Sequence, residues 1–204
     1  MTNGVVDYDL MQTIRVKFGG AIVAAVNGTA IPAKFVAALV ATESGGNPDA
    51  SRFEPEVLVK LWNTVVGRAS RFGSISRADL VNYVAGFSST PVTAPATLPS
   101  NVFQRLDELA KSWGLTQIMG YHVLEWITIP SWYRTVDDLR NPDANLRCTA
   151  LLLTQFANEF SLDLGADFPA LLHCWNAGSP HAQTFDPAYV PNALRRMDLY
   201  GSLA

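Results

Sequence analysis

Apolar residues recur three or four positions apart along most of this chain, and this spacing constrains the fold more than any other feature. Such spacing gives each helix an apolar face that can pack into a core. It predicts helices at residues 9–26, 32–44, 54–66, 77–85, 101–112, 142–160, 168–175 and 187–200. The alternation that indicates strands is nearly absent. The sequence therefore predicts an all-α fold.

Residues typical of helix ends support these boundaries. Pro32 and Pro142 lie at first-turn positions, where the missing N–H loses no hydrogen bond. Ser76 is placed to cap the helix that follows it, and Gly45 and Gly201 lie where helices should end.

The length and composition fit one domain. Of the 204 residues, 49% are hydrophobic, which is enough for a sizeable core. Segment 88–100 departs from helical spacing, because Pro91, Pro95 and Pro99 favour extended backbone. We predict a single domain over residues 1–204 with a Pro-rich surface loop at 88–100. This loop is either a tolerated insertion or a flap over a substrate.

The charge pattern excludes two classes of partner. Charged residues make up only 16% of the chain and the formal net charge is -3, so no basic surface is available for nucleic acid. The longest uninterrupted apolar run, 35–41, is far shorter than the ~20 residues that cross a bilayer. Asp7 and Asp9 lie where a secretory signal carries Lys or Arg. We expect no nucleic-acid partner, no membrane span and no signal peptide.

The cysteines and histidines do not predict a metal site. Cys148 and Cys174 are too few for a zinc site and are expected to be buried apolar residues, although a bridge between them stays open. His122, His173 and His181 lack metal-ligand spacing with acidic residues and are expected in satisfied polar roles. Neither a metal nor a cofactor is expected.

Glu43 is the first candidate for chemistry. It lies in the last turn of the predicted helix 32–44, whose apolar composition predicts burial. Burial and the negative end of the helix dipole both disfavour the ionised carboxylate, so we expect a raised pKa for Glu43. A carboxylic acid that stays protonated near neutral pH can protonate the leaving oxygen of a glycosidic bond. The alternative is an exposed glutamate at a fraying helix end.

Four short motifs occur in the order in which one enzyme family has them. They are ESGGNPDAS at 43–51, GLTQIM at 114–119, NL at 145–146 and WNAG at 175–178, followed by YV at 189–190. In these motifs the chain resembles the soluble lytic transglycosylases and goose-type lysozymes, over about three quarters of its length. The resemblance implies a lysozyme-like, predominantly helical domain.

The resemblance also implies roles for individual residues. Glu43 matches the family's catalytic glutamate, which serves as acid and then as base. The implied substrate-binding residues are Ser44, Gln117, Ile118, Met119, Trp175, Asn176 and Tyr189. Gln117 would hydrogen-bond sugar or orient the glutamate, and Tyr189 would stand near the bound acetamido sugar. For Gln117, Asn176 and Tyr189, packing or helix capping is the alternative.

Two positions depart from the family pattern. Many members have a tyrosine before the asparagine of the NAG motif, and its hydroxyl bonds the catalytic glutamate, whereas this chain has Trp175. An indole N–H can donate but cannot accept, so we expect Glu43 to be oriented differently. Gly120 stands where a proline often follows the glutamine motif.

A possible second carboxylate follows the first motif. RFEPE at 52–56 resembles a segment found in one subset of these enzymes. Glu54 or Glu56 could place a water molecule or stabilise a cationic transition state. Alternatively, Glu54 simply begins a helix, where a negative charge is favourable.

The resemblance implies cleavage of peptidoglycan between N-acetylmuramic acid and N-acetylglucosamine. In the transglycosylase route the muramoyl C6 hydroxyl closes an anhydro ring, and in the lysozyme route water attacks instead. A non-catalytic glycan-binding or virion structural module is the alternative of another class. We expect a monomer that acts on the cell wall, in the periplasm, outside the cell or associated with a phage.

Overall fold

The computed structural model describes residues 2–85, 101–125 and 135–203, which are predominantly helical. Its helices are α1 (Thr2–Val26), α2 (Ala33–Glu43), α3 (Pro55–Val65), α4 (Arg77–Val84), α5 (Val102–Leu109), α6 (His122–Glu125), α7 (Pro142–Phe160), α8 (Phe168–Ala177) and α9 (Tyr189–Ser202), with a short 3-10 helix at Val136–Arg140. Its strands are β1 (Ser51–Phe53), β2 (Arg71–Phe72), β3 (Ile75–Ser76), β4 (Lys111–Trp113) and β5 (Ile118–Met119). The prediction of a predominantly helical fold is therefore confirmed, although the short strands mean that the fold is not strictly all-α. Helix α1 begins at Thr2, seven residues before its predicted start at residue 9.

An error of element type falls at the end of the predicted helix 101–112. The observed helix α5 ends at Leu109, and the chain then enters β4. Strand β4 pairs antiparallel with β1 on one side and with β5 on the other, with Ser51 opposite Trp113 and Ser112 opposite Met119. Strands of two or three residues are too short to show alternation, so their pairing with other strands defines them.

The chain divides into two compact units. Unit 1 comprises the described residues of Met1–Ala50, Gly114–Thr116 and Arg140–Ala204, and unit 2 comprises those of Ser51–Trp113 and Gln117–Leu139. The single domain over 1–204 stays a prediction. The Pro-rich loop predicted at 88–100 lies outside the described residues.

Helix α2 is the centre of the core of unit 1. Every residue of 35–41 is buried, which confirms the prediction of a buried helix. It packs against α1, α7 and α9. Small alanines let the neighbouring helices approach, while each fully buried Val or Leu side chain contributes about 1.5–3 kcal/mol through the hydrophobic effect.

Helix α9 runs antiparallel to α2. Near the end of α9, a Cβ at Gly201 would lie 3.5 Å from the Lys34 side chain at the start of α2. At the other end of the pair, Tyr189 contacts Glu43. Since α9 continues to Ser202, the prediction that Gly201 ends this helix is wrong. The pairing places the first turn of α9 beside the last turn of α2.

Unit 2 is built from α3, α4 and α5 with the two small sheets. Its buried residues include Leu61, Leu80, Leu106 and Leu109. The predicted cap at Ser76 is confirmed: its hydroxyl accepts from the Asp79 N–H at 3.2 Å, and Asp79 Oδ2 accepts from the Ser76 N–H at 3.0 Å.

Two further expectations concern the cysteines and the bilayer. Cys148 and Cys174 are buried free thiols, as expected. Within the described ranges, no helix is both long enough and apolar enough to cross a membrane.

Candidate functional site

Glu43 is the last residue of α2 and is partly buried. The chain turns away directly after it, because Gly45 and Gly46 have φ values of 61° and 79°, which side-chain-bearing residues rarely adopt. Gly46 also passes close to α1, where a Cβ would lie 3.3 Å from Ile14 Cγ1. The ESGG motif therefore ends a buried helix abruptly and leaves a carboxylate at its tip.

Tyr189 holds this carboxylate. Its hydroxyl donates a hydrogen bond to Glu43 Oε1. The side chain is only 8% exposed, and burial, together with the neighbouring Glu43 carboxylate, raises the pKa of Tyr189 far above its ordinary value. Tyr189 is therefore a permanent donor to Glu43 at neutral pH.

Trp175 bonds the segment Gly114–Thr116. Its indole N–H donates to the carbonyl oxygen of Thr116 at 3.2 Å. The hydroxyl that bonds Glu43 comes instead from Tyr189, in the next helix along the chain. Tyr189, which the resemblance predicts near the bound sugar, therefore contacts Glu43 itself.

Ser44 fastens the end of α2 to the segment Gly114–Thr116. Its hydroxyl lies 2.7 Å from the Leu115 carbonyl oxygen, to which it can donate, and it accepts from the Gly46 N–H at 3.2 Å. The Gly114 N–H bonds the Ala50 carbonyl oxygen at 2.9 Å. These contacts give Ser44 a structural role, and its contact with substrate stays a prediction.

A buried polar network holds the same segment from the side of α7. Thr116, Asn145 and Thr149 are all 0% exposed. Asn145 Oδ1 lies 3.1 Å from the Thr116 backbone nitrogen and 2.8 Å from its hydroxyl, while the two threonine hydroxyls are 2.7 Å apart. Buried polar groups that bond one another fix one arrangement, because leaving any of them unpaired is costly. This explains the asparagine of the NL motif.

The remaining predicted binding residues have diverse surroundings. In unit 2, Gln117 has φ 55° and its Oε1 accepts from the Ser112 hydroxyl at 2.8 Å. Ile118 is 1% exposed and Met119 is partly buried, both in β5. In unit 1, Asn176 is exposed near the end of α8. Their contacts with substrate stay predictions.

Gly120 is required by its surroundings. A Cβ there would lie 2.3 Å from the Glu108 carbonyl oxygen and 3.0 Å from Leu109 Cα. The Gly120 N–H also donates to the Lys111 carbonyl oxygen at 2.7 Å. A proline at this position would clash with the Glu108 carbonyl oxygen and lose this bond.

The possible second carboxylates lie at the start of α3 in unit 2. Glu54 immediately precedes the helix, and its Oε1 pairs with Arg52 Nε at 2.7 Å, although the Arg52 side chain is 76% exposed. Glu56 lies in the first turn and is exposed. The position of Glu54 fits the alternative in which it begins a helix, where a negative charge is favourable. A catalytic role for either stays a prediction.

The histidines take separate positions. His122 Nδ1 lies 2.6 Å from Glu125 Oε2, and Ser74 donates to Glu125 Oε1 at 2.8 Å. Burial raises the pKa of Glu125, but the hydrogen bonds and the charge of His122 outweigh it and lower that pKa below its usual value. His173 Nδ1 is buried without a hydrogen-bond partner among the described residues, and the expected satisfied role of this side chain stays a prediction. Within those residues, no group of three or more His, Cys, Asp or Glu could hold a metal ion.

The chain matches no protein-family model, no curated protein and no solved structure. The resemblance to lytic transglycosylases and goose-type lysozymes therefore rests on the sequence motifs, and the activity that it implies stays a prediction.

Proposed function

We propose that this chain is a peptidoglycan lytic transglycosylase with a lysozyme-like fold. It cleaves the bond between N-acetylmuramic acid and N-acetylglucosamine and leaves an anhydromuramoyl end. The observation that carries the proposal is Glu43 itself: a partly buried carboxyl at the tip of an apolar helix, bonded by a buried tyrosine. It stands in the first of the four ordered motifs.

Glu43 acts first as the acid. Tyr189 donates to Oε1, so the proton to be transferred is carried on Oε2. Its transfer to the glycosidic oxygen releases the N-acetylglucosamine leaving group while positive charge develops on the muramoyl ring. The acetamido group of that ring assists from its own side. The Tyr189 hydrogen bond stabilises the carboxylate that this step creates.

Glu43 then acts as the base. Its carboxylate takes the proton from the muramoyl C6 hydroxyl, and the C6 oxygen bonds to C1 of the same ring. The anhydro product forms without water, and Glu43 regains its proton. One carboxyl group therefore serves both steps, and the chemistry needs neither a metal nor a cofactor.

The proposed partner is the glycan strand, met at the cell wall, whether in the periplasm, outside the cell or on a phage particle. We propose that the enzyme works as a monomer. Its substrate is uncharged along the sugar backbone, which suits a chain with few charged residues.

Mass spectrometry of the soluble muropeptides released from purified peptidoglycan tests this function. The wild-type protein is expected to release anhydromuramoyl products and Glu43→Gln to release none, since glutamine keeps the shape but cannot give a proton. Glu159→Gln, the same change at an exposed position of α7, is the matched control and should keep full activity.

Two other outcomes would contradict the proposal. Muropeptides ending in reducing muramic acid would identify a lysozyme-type hydrolase, and Glu54→Gln and Glu56→Gln would then show which carboxylate places the water. Absence of any released product from the wild-type protein would favour a non-catalytic glycan-binding module.

A further inference from the structure

A second carboxylate in unit 1 is buried, and the reaction does not use it. Asp7 lies in α1 and is only 5% exposed. A buried carboxylate is costly unless charged partners and hydrogen bonds compensate for the water it has lost. Two consecutive arginines of α9 supply this compensation.

Asp7 is bonded through both of its oxygens. Arg195 Nη2 donates to Oδ2, while Arg196 Nε and Nη2 lie 3.2 Å and 3.1 Å from Oδ1. The Arg195 side chain is 45% exposed, whereas that of Arg196 is only 19% exposed. Arg196 is therefore the arginine that Asp7 holds inside the unit.

Arg196 also reaches the end of α2. Its Nη1 donates to the hydroxyl of Thr42 at 3.1 Å, and Thr42 directly precedes Glu43. Since a guanidinium is planar, fixing Nε and Nη2 on Asp7 also fixes the direction of Nη1. Asp7 thus determines where Arg196 can meet α2.

The same helix face carries both contacts to α2. Tyr189 and Arg196 stand two turns apart in α9, which separates them by about 10 Å along the axis. Tyr189 bonds Glu43 and Arg196 bonds Thr42, so α9 forms hydrogen bonds with two consecutive residues of α2. A shift of α9 along α2 would break both contacts.

We propose that Asp7 is a positioning residue for Glu43. Asp7 orients Arg196, and Arg196 bonds Thr42. This contact sets the register of α9 on α2. The register in turn brings the Tyr189 hydroxyl to Glu43. The consequence for catalysis rests on the proposed function, but the geometric link does not. General acids are sensitive to placement, and an error of about 1 Å can cost about a hundredfold in rate.

The test replaces Asp7 by asparagine in the full chain and observes Tyr189 directly. Tyrosine labelled with carbon-13 at Cζ gives one NMR signal for each of the six tyrosines, and Tyr189→Phe identifies the signal of interest. Glu43→Gln shows how far that signal moves when the carboxylate is lost. Asp7→Asn is expected to move it in the same direction, while the other tyrosine signals of unit 1 stay in place.

Asp9→Asn is the matched control, because Asp9 is exposed two residues further along α1. It should leave the Tyr189 signal unchanged. Arg196→Lys keeps the positive charge but loses the planar guanidinium group, so it is expected to reproduce the effect of Asp7→Asn. This second variant also serves if Asp7→Asn does not fold.

Activity on peptidoglycan provides the second measurement. Asp7→Asn is expected to lower kcat about ten- to hundredfold with KM changed less than about twofold, as for a misplaced acid. An unchanged Tyr189 signal in both Asp7→Asn and Arg196→Lys would overturn the proposal, even if both variants were less stable. A moved signal in a protein without activity towards peptidoglycan would uphold the positioning and refute the proposed function.

Discussion

Asn145 allows a sharp prediction that does not depend on the reaction. Its side-chain oxygen accepts from the Thr116 N–H at 3.1 Å, and both residues are completely buried. Asn145→Ala removes the acceptor and leaves that N–H without a partner in the core. A buried unpaired donor costs about 1–3 kcal/mol, and the small cavity adds to this.

The hydroxyls of two threonines limit the loss of stability in Asn145→Ala. Thr116 and Thr149 lie 2.7 Å apart, so they can continue to bond each other after Asn145 is truncated. We therefore expect Asn145→Ala to lower the free energy of unfolding by about 2–4 kcal/mol. In a chain of this size, that corresponds to a decrease in Tm of about 4–16 °C.

Urea denaturation followed by circular dichroism measures this loss, with Asn158→Ala as the control. Asn158 is exposed in the same helix, α7, so its truncation should change the stability by less than about 0.5 kcal/mol. A loss below about 1 kcal/mol for Asn145→Ala, or equal losses for both variants, would refute the assignment of a buried network.

Three further changes test other parts of the molecule. Tyr189→Phe removes the hydrogen-bond donor to Glu43. Because a hydrogen bond to a charged group is worth about 1.5–3 kcal/mol, kcat on peptidoglycan should fall about 10- to 150-fold. An unchanged kcat would contradict this role of Tyr189. Ser76→Ala should lower the free energy of unfolding by about 1 kcal/mol in urea, since it removes a helix cap, whereas Ser70→Ala should have little effect. The pKa of Glu125 lies below its usual 4.5, so the ionised carboxylate stabilises the fold above pH 4.5. This contribution is lost as the pH falls through the lowered pKa. The difference in the free energy of unfolding between wild type and Glu125→Gln should therefore shrink in acid titrations.

Local chemistry made most helices predictable. The spacing of apolar residues reports which face is buried, and Ser76 and Pro142 mark helix starts through interactions within one turn. The burial of α2 follows in the same way from its composition. These features depend on neighbours in sequence, which a single chain displays.

The strands and the site contacts depend on distant neighbours instead. Lys111 and Ser112 fall within the predicted helix 101–112, yet Lys111–Trp113 forms a strand that pairs with Ser51–Phe53 on one side and Ile118–Met119 on the other. Tyr189 was predicted as a substrate contact, because its approach to Glu43 requires the antiparallel packing of α9 on α2. The burial of Asp7 was not predicted, because its arginine partners lie at the far end of the chain.

The last turn of α2 shows what these distant contacts achieve. A helix end usually frays, since its final carbonyl groups lack partners within the helix. Here three consecutive side chains are each fixed from outside the helix: Thr42 by Arg196, Glu43 by Tyr189 and Ser44 by the Leu115 carbonyl. Thr42 and Glu43 point about 100° apart around the helix, and Ser44 follows its last residue, so the restraints act from different sides.

Restraint from several sides suits an acid that must also act as a base. In the proposed reaction the carboxyl group must meet first the glycosidic oxygen, which leaves with N-acetylglucosamine, and then the C6 oxygen of the muramoyl residue. Both transfers need the same placement of one group. An acid on a fraying turn would lose this placement between the steps, whereas a restrained turn retains it. The residues flanking Glu43 therefore matter to the proposed reaction through geometry, and substitutions at Thr42 or Ser44 should lower kcat more than they raise KM.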